Sequence, residues 1–190
     1  MAAMNAMNRR GFLETGCVCG LGVLASPGAA PGGETAAQGD LTQAANPEQV
    51  MRFLKSVDRS GDESLRSAVF QRWGRECFYA PRLDQWALGH HANFDGFVAS
   101  VNEGRSRYWE KIEYDKAAGT VKITSRKFPH CVCAWAQCQE PPKSLCTHCC
   151  RSFQTEIFRT MLDRKVDVEI TESLLLGGER CRTTIHILAG

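Results

Sequence analysis

The sequence predicts an α+β fold: one domain in which an antiparallel sheet packs against helices. Three observations carry this. Apolar residues recur at helical spacing between residues 47 and 101, and two later stretches alternate apolar with polar. A further helical stretch separates those two. Helices, hairpin, helix, hairpin is the order of an antiparallel α+β domain.

Asn46-Pro47-Glu48 opens the first helix, with Asn as cap and Pro at the first helical position. Val50, Phe53, Leu54 and Val57 form its apolar stripe, and Ser60-Gly61-Asp62 breaks it. A second helix is predicted over residues 63–73, with Leu65, Val69 and Phe70 inward and its end near Gly74. His90-His91 then falls in a solvated loop, and a third helix over 94–101 carries Phe94, Phe97, Val98 and Val101. Residues 108–114 and 120–125 read as a hairpin around residues 115–119; Val121 and Ile123 alternate with Lys122 and Thr124. The helix over 147–162 shows Phe153, Ile157, Phe158 and Met161 on one face. Strands over 165–174 and 181–188 close the chain across Gly177-Gly178-Glu179-Arg180. Val166, Val168 and Ile170 face one way in the first, Cys181, Ile185 and Ile187 in the second.

Between the hairpins lies the densest chemistry. Six of the ten cysteines fall from Cys131 to Cys150, with His130 and His148 among them. Cys131-x-Cys133 and Cys146-x-x-Cys149 are separated by Pro141-Pro142, and Cys146, Cys149 and Cys150 share one side of a helix start. Such density points to a metal or a disulfide network. Zinc takes four N, S or O donors, and Cys131, Cys133, Cys138, Cys146, Cys149 and Cys181 are the candidate ligands. His148 is the histidine to test as ligand or base, and Cys150 adjoins it on the same turn. An iron–sulfur cluster would need four convergent thiolates, and the spacing matches neither ferredoxin run. Thiol redox chemistry would use Cys146-Thr147-His148-Cys149, where a helix start lowers a thiol pKa, but no thioredoxin-like βαβ unit precedes it. Cys77 stands alone and reads as a buried free thiol, while Trp109 and Trp135 suit either a pocket or the core.

At the start, Asn8-Arg9-Arg10-Gly11-Phe12-Leu13 resembles the twin-arginine export signal, with Arg9, Arg10, Phe12 and Leu13 at the expected offsets. Glu14 departs from the basic residue more usual there. The apolar stretch over 16–25 is too short to span a bilayer. Residues 1–37 are expected to leave after Thr35-Ala36-Ala37, taking Cys17 and Cys19 with them, and residues 38–46 form a polar tether. Residues 47–190 are then the domain, exported to the periplasm or beyond. Its oxidising surroundings favour disulfides, whereas folding before export, which that route implies, favours metal. The leader's Arg9 and Arg10 balance Glu14 and Glu34, so the net charge stays at +2 and carries no nucleic-acid footprint.

The C-terminal third carries a second resemblance. Leu145-Cys146 at a helix start, Leu162-Asp163-Arg164-Lys165-Val166-Asp167-Val168-Glu169, and Gly177-Gly178-Glu179-Arg180-Cys181 are similar to the end of vinyl-reductase-type ligand-binding domains. That family includes the sensory domains of phenol-responsive regulators and bacterial hydrocarbon-binding proteins. The Gly-rich turn with its Cys also resembles the end of the 2-amino-thiazoline-4-carboxylate hydrolase family. The phenol-sensing members imply a structural zinc on an early helical Cys, a strand Glu and two later Cys. Those positions hold Cys146, Ile170, Ser173 and Cys181 here, so two donors are missing. Glu169, taken to share a face with Ser173, is the expected replacement. The resemblance implies a small apolar or aromatic ligand held between sheet and helix, with metal or disulfides as the staple. The alternatives are a hydrolase of a small heterocycle, using a thiolate or metal-bound water, and a thiol redox protein. Expected partners are that small molecule, the twin-arginine translocase and a second copy in a homodimer.

Overall fold

A computed structural model describes residues 46–189, and these form five helices and one four-stranded antiparallel sheet. The export signal, the leader cysteines and the tether before Asn46 lie outside the described residues. Among the described residues, no helix is long and apolar enough to cross a membrane.

Helix α1 (Pro47–Arg59) begins where Asn46 accepts a hydrogen bond from the Glu48 amide at 2.9 Å. Helix α2 (Glu63–Tyr79) begins on Asp62, which accepts from Leu65 N at 3.0 Å. Phe53 and Leu65, expected inward, are exposed at 56% and 45%, so the buried stripes are narrower than the spacing implied. Helix α2 also runs straight through Gly74 rather than ending there. Gly74 is buried, and a Cβ on it would collide with the Cys149 carbonyl oxygen. This glycine serves close approach between two helices, not a stop.

Helix α3 (Leu83–His91) takes in His90-His91, which were expected in a loop, and α4 (Phe94–Ser100) continues into a π turn, Val101–Arg105. Asn102 exchanges two 2.9 Å hydrogen bonds with the Ile112 backbone, tying that turn to the sheet. Strands β1 (Trp109–Asp115) and β2 (Thr120–Ser125) form the first hairpin. A second π turn, Leu145–Cys150, leads into α5 (Arg151–Leu162); β3 (Val166–Glu172) and β4 (Arg182–Ile187) follow. The sheet order is β1-β2-β4-β3, so the two hairpins join through β2 and β4, with Val121 opposite Ile185.

Two cores result. The larger lies between the sheet and α2–α5, and gathers Phe78, Phe94, Phe97, Ile112, Val121, Phe158, Met161, Val168 and Ile185. The smaller joins α1 and α2 to the second π turn through Leu54, Val57, Phe70, Leu145 and Cys149. Against it packs the segment between β2 and that turn, whose one regular piece is a 3-10 turn, Ala134–Ala136. That segment is stitched down by polar contacts. Lys55 Nζ donates to Gln139 O at 2.5 Å, and Asp58 accepts from Lys143 N and Ser144 N at 3.3 and 3.2 Å.

Candidate functional site: a thiol cluster and an aromatic shelf

The π turn fixes the thiols. Four-residue spacing there sets Cys146 and Cys150 on one side and turns Cys149 to the other, where it is buried beside Leu54 and Phe70. Cys146 is 6% exposed, and its Sγ lies 2.9 Å from Ser173 Oγ. The Cys150 thiol hydrogen-bonds the same sulfur. The protonated Cys146 donates to Ser173 Oγ. Once ionised, its sulfur accepts from that hydroxyl and from Cys150, and these contacts overcome the penalty of burial and hold Cys146 down to about 7, with Cys150 the larger influence. Cys150 is pushed the opposite way, well above the ordinary thiol range, because its proton is shared with Cys146 and its sulfur is buried. Gln154 Nε2 reaches Cys150 Sγ at 3.3 Å.

Three more cysteines stand within electrostatic reach. Burial raises Cys131 and Cys181, and each also feels Cys146. Cys133 bears on Cys150. Thiols from three separate segments (the loop after β2, the π turn, and the residue before β4) therefore influence one another electrostatically around Cys146 and Cys150. Ser173 is itself buried and its Oγ accepts from Leu175 N at 3.1 Å. Cys131, Cys138, Cys146, Cys149, Cys150 and Cys181 are free thiols.

The other expected site residues lie elsewhere. Cys138 Sγ is 3.8 Å from Trp135 O, in an open groove of about 540 Å³ beside Pro47 and Met51. His148 Nε2 lies 3.3 Å from Glu63 Oε1, in a separate polar groove with Asp58, Arg66 and Lys143. Glu169 is exposed on the outer face of β3, its Oε2 4.0 Å from His186 Nε2. A bulge between Ile170 and Glu172 breaks the alternation, so Glu169 and Ser173 do not share a face as the two-residue period implied.

The donors that the resemblance implies for zinc do not fit this geometry. Ile170 offers none, Ser173 is engaged with Cys146 and Leu175 N, and Glu169 points to solvent. Among the described residues, no three His, Cys, Asp or Glu side chains stand close enough together to hold one ion. The arrangement is that of a hydrogen-bonded thiol network.

A second constellation was missed in the sequence because His90-His91 was read as a solvated loop. His90, on the last turn of α3, is half-buried with its ring 5.1 Å from Trp86 and 4.8 Å from Phe97. Trp109 closes the set, 6.3 Å from Trp86 and 5.6 Å from Phe97. Burial lowers the His90 pKa, so the imidazole is neutral at pH 7 and keeps one acceptor nitrogen. Trp86 and nearby Leu88 remain 39% and 59% exposed, which leaves the edge of this aromatic shelf open. The helical spacing of Trp86 and His90 was the signal available in the sequence.

No protein-family model matches the chain, and no curated protein matches it. Solved structures do. The phenol-responsive sensory domain of the transcription activator PoxR with phenol aligns at TM-score 0.43 and 13% identity, over 75% of this chain and 74% of that one. Trafficking protein particle complex subunit 3 from Naegleria fowleri, covalently bound to palmitic acid, aligns at 0.40 and 13% identity, over 75% and 90%. At this level of similarity neither carries its ligand over to this chain.

Proposed function

We propose that this chain is an exported binding module that takes a small aromatic molecule, one bearing a hydroxyl or similar donor, on the shelf of Trp86, His90, Phe97 and Trp109. The observation that carries the reading is His90: a neutral, half-buried imidazole set among aromatic rings. Rings supply stacking surface at low entropic cost, and one polar atom among them supplies orientation. The Arg9-Arg10 signal supports export. Changing both to Lys is expected to hold the precursor in the cytoplasm.

Thermal unfolding in the presence of phenols and of unsubstituted aromatic hydrocarbons tests the binding reading. At about 100-fold above the dissociation constant, a ligand is expected to stabilise the fold by about 2.7 kcal/mol. His90→Ala should remove the preference for phenols over hydrocarbons, and Trp109→Ala should weaken both. A flat response across the screen, or one unchanged in both variants, would sink the assignment.

A further inference from the structure

We propose that Cys146 and Cys150 are an oxidisable pair: Cys146 takes an oxygen atom from a small hydroperoxide, and Cys150 resolves the product into an intrahelical disulfide. The inference goes beyond the aromatic-ligand reading and does not rest on it.

The geometry assigns the two roles. Cys146 Sγ sits 2.9 Å from the Ser173 hydroxyl and accepts the Cys150 thiol, so a negative sulfur there meets two donors. Only 6% of Cys146 is exposed, which restricts its oxidant to something near the size of hydrogen peroxide. Cys150, already in hydrogen-bonding contact, is the resolving group, and Gln154 Nε2 at 3.3 Å stabilises its sulfur once the proton leaves. Cys149 faces the smaller core and takes no part. A π turn at this point is compatible with a site of chemistry, since such turns are frequent at functional positions.

In the first step the Cys146 sulfur attacks one peroxide oxygen. The O–O bond breaks, an S–O bond forms, and the second oxygen leaves as hydroxide, which takes up a proton to become water. In the second step Cys150 gives up its proton and its sulfur attacks Cys146 Sγ. The S–O bond breaks, the S–S bond forms, and the oxygen leaves as water. The two sulfurs lose two electrons in all, and the peroxide gains them. Residues one helical turn apart have Cβ atoms about 5–6 Å apart, whereas a disulfide needs about 3.5–4.5 Å. Closure therefore deforms the turn, and the bond is one that reductant opens readily.

The test uses the full chain, purified in reductant and then freed of it. One equivalent of hydrogen peroxide should consume two thiols. In the tryptic peptide covering residues 144–151, Cys149 alone should then remain open to alkylation. In Cys150→Ser the sulfenic acid persists, and a 1,3-dicarbonyl probe should label Cys146. Ser173→Ala keeps both sulfurs but removes one donor, and should slow the loss of thiols severalfold. Cys146→Ser should abolish fast peroxide consumption, while Cys138→Ser leaves it unchanged. Should Cys146→Ser fail to fold, the Cys150→Ser label and the Ser173→Ala rate still decide. Label landing on Cys131 or Cys181 instead would overturn the proposal. So would an unaltered rate in Ser173→Ala, or an equivalent of zinc that co-purifies and shields both thiols.

Discussion

Around Phe158 the chain is held by rings and aliphatic side chains on regular elements; around Cys146 it is held by short polar contacts on turns and a loop. Phe158 is fully buried, with ring centroids 6.3 Å from both Phe94 and Trp109. Cys146 rests on one serine and one thiol, in a chain segment anchored by Asp58 and Lys55. Apolar burial scales with area and is shared among many contacts. A small buried polar network depends on each partner, because a group left alone keeps its full desolvation cost.

The comparison can be broken most forcefully at Phe158. Phe158→Ala should cost about 3–5 kcal/mol in urea unfolding, the range for emptying a well-packed aromatic site. A loss below 1 kcal/mol would mean that the sheet–helix core is not the main source of stability. Gly74→Ala probes the junction between the two regions. In an exposed helix this change would stabilise by about 1 kcal/mol. Here the new methyl must displace the Cys149 carbonyl, so a net loss of about 1–3 kcal/mol is expected. A gain in midpoint would show that α2 and the π turn are further apart than described.

The smallest effect is expected at the thiols themselves. Ser173→Ala should cost about 1 kcal/mol, since two hydrogen bonds to Oγ are lost. Its pH signature is more telling. Cys146 titrates near 7 in the folded chain and near 8.5 when unfolded, so folding releases its proton between those values. Stability in reductant should therefore rise as pH climbs from about 7 toward 8.5. Above that, unfolding releases the proton that Cys150 retains when folded, and stability should fall again. Unfolding midpoints measured from pH 6 to 10 should trace this rise and fall, and Ser173→Ala should flatten the rising limb. A profile flat across the range would remove the hydrogen-bonded pair.

Legibility followed the same division. Strands β1 to β4 and helix α5 were readable because burial on one face imposes a period, and Val166, Val168 and Ile185 obey it. Helix α3 was not, since its buried contribution is mainly Ala87 and its His90-His91 end resembles a polar loop. Gly74 misled because the same residue serves helix ends and close packing, and only a neighbour's position tells them apart. At the thiols, the sequence singled out Cys146 and Cys181 and the stretch around them. It could not pair Cys146 with Cys150 rather than Cys149, because that depends on the π turn, nor foresee that a bulge would part Glu169 from Ser173.

The order β1-β2-β4-β3 leaves β1 and β3 as the rims of the sheet, and both are guarded against strand addition. Each carries a bulge, between Trp109 and Lys111 in one and between Ile170 and Glu172 in the other. Each also bears outward charge: Lys111 with Glu113 on β1, and Asp167, bridged to Arg151 at 2.6 Å, beside Glu169 on β3. Bulged, charged rims resist templating another chain. Two copies meeting at high concentration would thus not extend one sheet into the next through either rim.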